Sequence, residues 1–349
     1  CSGETDCVFV AGAGMENGTV RFCSDERSTL MAFFSHLAHE DPDLIIGWNV
    51  VGFDLLVIQQ RCEHWGISFD VGRGAGSRIV RLEGKDMRFT AKIPGRVVLD
   101  IPMVLRTYYQ SFEEYSLDYV ASRMLGKHKI IEARGEEKIR EIDRLFANDR
   151  LALARYNLED ARMTQEIFDA SGLLPVIIER TRLCGQPLDR LGASVASFDF
   201  LYLPLLHRKG RVALDALDAK AATSPLTGGY VMESIPGIHE NVLVFDFRSL
   251  YPSIIMTFCI DPLGLFSTLH PRVQGPVGPS FSRTESILPT IIKDLMDARI
   301  EARREGNAAL SQAIKILMNS FYGVLGATGC RFFSSDLAQT ITGTGQYIF

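Results

Sequence analysis

The sequence predicts an α/β domain over residues 1–175, followed by a mainly helical part with short strands that closes in a helical hairpin. Three observations carry this. Short apolar runs alternate with amphipathic helical stretches up to about Pro175. An apolar run, Val242 to Phe245, ends on one carboxylate, Asp246, as a core strand reaching a site does. From Ile287 the pattern is helical, breaks at Gly306-Asn307, and resumes from Ala308 to about Tyr322. A length of 349 residues allows two or more domains, and 46% hydrophobic residues suffice for real cores.

Residues 7–23 read as a β-hairpin turning at Asn17-Gly18. Ser28 to Leu37 has helical spacing, with Leu30, Phe33, Phe34 and Leu37 inside. Asp43 to Asn49 is a buried strand, and Phe53 to Trp65 an amphipathic helix that Gly66 ends. The glycines of Gly72-Arg73-Gly74-Ala75-Gly76 do not sit between a strand and a helix, so they make a flexible connection rather than a dinucleotide loop. Arg78 to Asp100 alternates and turns at Pro94-Gly95, which predicts strands and a projecting hairpin. Ser116 caps a helix, and two more follow near Glu136–Asn148 and Arg150–Ser171. Residues 176–220 are mostly helical, with Asp199, His207 and Arg208 solvated or paired. Ser224 to Gly229 is a loop. Strands follow at Tyr230–Met232 and Val242–Asp246, and residues 261–286 form an irregular connection rich in Pro, Gly and Ser.

A formal net charge of -5 gives no overall basic field, so any nucleic-acid contact must use local patches. The seven cysteines are scattered without a CxxC pair and read as reduced thiols of a cytosolic protein. No apolar run is long enough to span a bilayer, and no membrane partner is expected. Cys1 stands where a complete chain would carry Met, and an element is still running at Phe349, so a piece of a longer protein is expected.

Three groups of residues carry chemistry. In Asn49-Val50-Val51-Gly52-Phe53-Asp54, a buried strand delivers Asp54 to the first turn of a helix, where a carboxylate either serves a site or simply favours the helix dipole. In Tyr156-Asn157-Leu158-Glu159-Asp160, Tyr156 and Asp160 are i and i+4 and share a helix face. A phenol and a carboxylate so placed can hold a water and a metal together, or can be an exposed Asp beside a packed Tyr. On the helical hairpin, Arg299 and Arg303 are i and i+4, and Lys315, Asn319 and Tyr322 are i, i+4 and i+7. Two guanidiniums and an ammonium brought together would clamp a triphosphate. The plainer alternative pairs the arginines with Asp297, Glu301 or Glu305.

These residues together resemble family B DNA polymerases, within them the bacterial DNA polymerase II group. DFRSLYPSII at 246–255 resembles the polymerase A motif, and KILMNSFYG at 315–323 the B motif. NVVGFD at 49–54 and YNLED at 156–160 resemble the second and third exonuclease motifs. Four motifs in the family's order make the resemblance specific. It implies an RNase H-like α/β exonuclease domain (1–175) and a connecting helical segment (176–220). It further implies part of an α+β palm (221–286), an antiparallel two-helix fingers module (287–326) and the start of a second palm segment (327–349). It implies DNA synthesis from dNTPs with 3'-5' proofreading, on two Mg²⁺ ions per site with Mn²⁺ as a substitute. Asp246, with the Phe247 carbonyl, would bind the ions of synthesis, and Asp54 and Asp160 those of proofreading, where Tyr156 would orient the attacking water. Ser249 and Leu250 would cradle the triphosphate through backbone amides, and Tyr251 would exclude a ribose 2′-hydroxyl. Arg299, Arg303 and Lys315 would clamp phosphates, and Asn319 and Tyr322 would line the nascent base pair. Asn49 and Phe53 would hold the strand being cut, and Gly228 and Gly229 would touch DNA. Primer–template DNA, dNTPs and, through other regions, a sliding clamp are the implied partners, in the bacterial cytoplasm beside the nucleoid.

The chain also departs from the family. No Asp-x-Glu, the first exonuclease motif, occurs in it, and after Gly323 the only acidic residue is Asp336, so the Asp-Thr-Asp of the polymerase C motif has no counterpart. Leu226 stands where the family's loop before Gly228-Gly229 carries Tyr or Ser. A relative that has lost catalysis and serves as a nucleic-acid-binding scaffold is the alternative. A protein-primed polymerase finds no supporting insertion. Two-metal sites need several carboxylates, so this chain alone is expected to be inactive. A primer-extension assay with Mg²⁺ and dNTPs checks this: no extension is expected, and measurable synthesis would contradict it.

Overall fold

The structure, a computed structural model, describes residues 6–14, 18–82, 88–109, 111–130, 135–215, 233 and 235–349. The expected loop at Ser224 to Gly229 and strand at Tyr230–Met232, with Leu226, Gly228 and Gly229, lie outside the described residues. The chain divides into two compact units, Cys1–Leu174 and Pro175–Phe349.

In the first unit, β1 (Val8–Ala11) lies beside β2 (Val20–Cys23), and α1 (Glu26–Glu40) follows. The two strands are parallel, with Val8 opposite Val20, which corrects the expected hairpin. A two-residue turn joins only antiparallel strands. Turning at Asn17-Gly18 would set Val8 and Phe9 against Arg27 and Glu26, at the polar start of α1. The parallel register instead buries Val8 and Val20 with Ala154 and Leu158.

Asp25 caps α1, its side chain accepting from Ser28 N at 2.7 Å. Next come β3 (Leu44–Gly47) and α2 (Asp54–Trp65), which ends at Gly66 in the left-handed conformation that glycine adopts without strain. Arg61 and Trp65 of α2 both hydrogen-bond Glu26 of α1. The Arg61 guanidinium holds that carboxyl down at about 2.

β4 (Arg78–Leu82) and β5 (Arg88–Lys92) pair antiparallel, so this hairpin's connection falls within residues 83–87. Pro94-Gly95 is also a turn, but it leads from β5 into β6 (Val97–Asp100). β6 runs parallel to β3, with Gly47 opposite Asp100, so both strand ends reach the same edge. Helices α3 (Ile101–Tyr108), α4 (Leu117–Leu125), α5 (Gly135–Asn148) and α6 (Arg150–Ser171) complete the unit. Ser116 caps α4 as expected, accepting from Tyr119 N at 3.3 Å.

The division between units falls within α7 (Leu173–Cys184). Then come α8 (Ser194–Arg208), α9 (Leu250–Phe258) and α10 (Pro262–Phe266). The region expected to be irregular contains a small antiparallel pair, β7 (Arg272–Gln274) and β8 (Ser280–Ser282). The helical hairpin is α11 (Leu288–Arg304) and α12 (Ala308–Leu325), and α13 (Ser335–Ile348) follows. Gly306 takes φ +74° at the hairpin's turn, and the Asn307 side chain caps α12 through Leu310 N at 3.0 Å. One core joins α8, α9 and the hairpin, with Phe198, Ile254, Ile255, Ile292, Leu317 and Phe321 fully or almost fully buried. Asp199 is paired, with Arg331 at 2.9 Å.

The expected strand at Val242–Asp246 does not form. These residues are irregular and open to solvent, with Val244 88% and Phe245 86% exposed. An apolar run becomes a strand only where a neighbour completes its hydrogen-bond ladder. Among the described residues no strand runs beside it.

Candidate functional sites

The second unit gathers cations around a small pocket. Arg248 and Ser249 line it from the start of α9, Arg299 and Arg303 from α11, and Met296 and Met318 supply apolar walls. The carboxylates nearest in sequence pair with other cations. Asp297 is taken by Lys293 at 2.7 Å and Glu301 by Arg304 at 2.6 Å. Among the described residues no ion pair reaches Arg299, Arg303 or Arg248. Arg299 Nε is buried and has no hydrogen-bond partner. Burial, then the charges of Arg303 and Arg248, hold the Arg299 guanidinium below the usual arginine range.

Helix α9 adds to the same site. Ser249 sits at its N-cap in the left-handed conformation, φ +53°, and makes no side-chain cap bond. The first amides of α9 therefore keep the partial positive charge of a helix N-terminus. Unneutralised guanidiniums beside such amides make an anion site, and the planar fork of arginine suits phosphate oxygens. Tyr251, one residue into α9, lies against Tyr322 of α12 with ring centroids 4.9 Å apart. Burial, and then Tyr251, push the Tyr322 phenol up.

Not every expected residue joins this pocket. Lys315 and Asn319 are exposed on α12 and do not line it. Asp246 lies in the exposed segment before α9, and Phe247 stacks edge-on against Phe349 at 5.2 Å. Arg248 escaped the sequence reading, although its place between Asp246 and Ser249 was a signal.

In the first unit, β3 and β6 bring a turn and a carboxylate together. Asp100 Oδ1 accepts from Asn49 N at 2.9 Å. Asn49 stands at φ +61°, outside the range most side chains prefer, and this bond helps hold it there. Phe53 projects, 62% exposed. Asp54 keeps an open solvent face, yet the protein around it still desolvates the carboxyl and pushes it up. Burial also pushes up the Asp100 carboxyl, and the charge of Asp54 adds to this.

On α6, Tyr156 is buried beside Asp160. Burial, then the Asp160 charge, raise the Tyr156 phenol well above its ordinary value. Asp160 Oδ2 is held by Lys129 Nζ at 2.5 Å, while its Oδ1 is buried without a partner. Lys129 and Lys138 both face the Tyr156 ring, at 5.6 and 5.9 Å from its centroid. Among the described residues no hydrogen bond or ion pair links this group to Asp54 or Asp100.

The orphaned Asp160 oxygen is a free acceptor of the hard type that Mg²⁺ takes. Still, the described residues gather no group of three or more metal-ligating side chains. The donors present do not by themselves complete a metal site.

Comparison with known proteins fits this arrangement. The family described as "DNA polymerase family B" matches residues 192–349, which hold the arginine pocket. "DNA polymerase family B, exonuclease domain" matches residues 4–120, which hold Asp54 and Asp100. The chain belongs to family B of the DNA polymerases. Within this family, DNA polymerase II of Escherichia coli (strain K12) is 40% identical over 99% of this chain and 46% of its own length. A DNA polymerase of Thermococcus sp. (strain 9oN-7) is 29% identical over 93% of this chain and 43% of its own. The family B polymerase of Pyrobaculum calidifontis superposes with a TM-score of 0.72 at 25% identity, covering 93% of this chain and 44% of that one. The chain thus spans less than half the length of these relatives.

An anion held by the pocket should stabilise the chain by mass action, by about 2.7 kcal/mol at a hundredfold excess over Kd. Inorganic tripolyphosphate is expected to raise Tm in a thermal melt, and Arg299→Ala/Arg303→Ala to lose most of that rise. An equal rise in both would place the anion elsewhere.

Proposed function

We propose that this chain supplies the nucleotide-selecting and proofreading parts of a polymerase that makes DNA from dNTPs on a primer–template. The observation that carries the reading is the pair Arg299 and Arg303, without carboxylate partners among the described residues, beside the start of α9, which has no side-chain cap. The neighbouring cations of the same helix, Lys293 and Arg304, are paired with carboxylates instead.

In this reading residues 1–175 are an RNase H-like exonuclease domain and 176–220 a connector. Residues 221–286 belong to the palm, 287–326 are the fingers hairpin, and 327–349 return to the palm. Arg299 and Arg303 hold the triphosphate with the Ser249 and Leu250 amides, Lys315 joins them from α12 as the hairpin closes, and Asn319 and Tyr322 line the nascent base pair. Tyr251, braced by Tyr322, meets the sugar face where a 2′-hydroxyl would clash. Phe53 and Asn49 hold a frayed single strand, and Gly228 and Gly229 touch the duplex. Tyr156 orients the water for proofreading next to Asp160. Divalent Mg²⁺, or Mn²⁺ in its place, would neutralise charge on the reacting phosphates when bound, with Asp246, the Phe247 carbonyl, Asp54 and Asp160 as this chain's share of the ligands. The work lies with the DNA, in the cytoplasm and without a membrane, and a sliding clamp engages other regions.

A second reading, a nucleic-acid scaffold without catalysis, draws on the missing cluster of three ligating side chains among the described residues. One pair of variants in the complete polymerase separates the two. Asp246→Ala should lower synthesis by at least about a hundredfold and spare proofreading, and Asp54→Ala should do the reverse. Primer extension and single-strand digestion read the two activities. Equal loss of both in either variant contradicts the assignment of separate sites, and no activity in the unaltered protein favours the scaffold.

A further inference from the structure

Asp261 is fully buried, and its carboxylate is saturated by donors from three separate elements. Oδ1 accepts from Gly264 N at 2.8 Å, which caps α10. Oδ2 accepts from Ile287 N at 2.9 Å and Leu288 N at 2.7 Å, the opening amides of α11. Tyr202 of α8, itself fully buried, donates its hydroxyl to both oxygens at 3.1 and 3.2 Å. That same hydroxyl accepts from Leu263 N at 3.1 Å. Ile287, the N-cap residue of α11, offers no side-chain cap of its own. A carboxylate 26 residues away therefore does the capping.

The placement matters because Asp261 comes just after α9, with only Cys259 and Ile260 between. Ser249 and Tyr251 stand at the start of α9, and Arg299 and Arg303 lie along α11. Asp261 thus ties the chain leaving α9 to the start of α11, and the residues that lead into α9, Arg248 and Ser249, face Arg299 and Arg303 of α11 across the arginine pocket. At about 1.5 Å per residue, Arg299 lies about 17 Å along α11 from Leu288 and Arg303 about 22 Å. A tilt of about 10° at the anchored end would then swing Arg299 by about 3 Å, enough to break a phosphate contact.

We propose that Asp261 is a positioning residue for the nucleotide site: by capping α11 from the end of α9, it sets how far Arg299 and Arg303 stand from Ser249 and Tyr251. It rests on the reading of that pocket as the triphosphate site. Burial pushes the Asp261 carboxyl up, and the saturated donor set, including two helix starts, offsets part of that cost.

The test uses this 349-residue chain and inorganic tripolyphosphate. Asp261→Ser keeps a hydroxyl that can cap Gly264 but is too short to reach Ile287 and Leu288 as well, so it releases α11. Tyr202→Phe removes the phenol and leaves the α11 bonds intact. By isothermal titration, D261S should bind tripolyphosphate about tenfold more weakly and Y202F as the unaltered chain does, even though both melt earlier. Because Asp261 acts through the arginines, D261S should add no further loss in the Arg299→Ala/Arg303→Ala background. Hydrogen exchange should speed up at the Ile287 and Leu288 amides in D261S alone. If D261S does not fold, Asp261→Thr supplies the same comparison through its hydroxyl. Full affinity in D261S, an equal loss in Y202F, or an additive loss on the arginine variant would each overturn the proposal. An unaltered chain that fails to bind tripolyphosphate would overturn the triphosphate reading instead. The anchor then stands or falls on exchange at Ile287 and Leu288, and unchanged exchange there overturns it.

Discussion

Three guanidiniums share one pocket in the second unit, and no carboxylate among the described residues neutralises them. Like charges so placed repel, and the repulsion grows as burial lowers the local dielectric. Arg299 shows the effect: its Nε is orphaned, and Arg303 and Arg248 together with burial disfavour its charge. A fold accepts such an arrangement only if the rest of the packing enforces it. An incoming polyanion removes the repulsion and fills the missing hydrogen bonds in one step.

The enforcement comes from the core beneath. Ile254 and Ile255 on α9, Ile291, Ile292 and Leu295 on α11, and Leu317 and Phe321 on α12 pack as one cluster. The apolar stripes fix which faces of the helices meet, and the polar stripes are left on the pocket side. Asp261 and the Asn307 cap then fix where α11 and α12 begin. The first unit applies the same logic on a smaller scale. Parallel pairing of β3 with β6 brings Asp100 under the Asn49 turn, and that turn presents Phe53 and Asp54.

Much of this was legible in the sequence, because helices announce themselves locally. The 3.6-residue period, Ser116 before α4, Gly66 after α2 and the break at Gly306-Asn307 are all signals within a few residues of the feature they mark. Strand pairing is not local, and there the reading failed. Asn17-Gly18 looks like a hairpin turn, yet only the burial of Val8 and Val20 against α6 decides the register. Val242 to Phe245 has strand composition, but composition supplies no partner. For the pocket, the i, i+4 spacing of Arg299 and Arg303 was visible, while the fate of their neighbouring carboxylates was not. Arg248 and Asp261 lay hidden for a related reason. Apart from Gly264, which Asp261 caps locally, the residues they meet are 26 to 59 positions away, beyond any local pattern.

The central claim is that the pocket between α9 and α11 is built for a polyphosphate. The most direct measurement is an experimental structure of this chain soaked with a dNTP. The account predicts triphosphate density between Ser249 and the guanidiniums of Arg299 and Arg303, with Arg248 in reach. Density for the triphosphate at another surface, with this pocket empty, would contradict it.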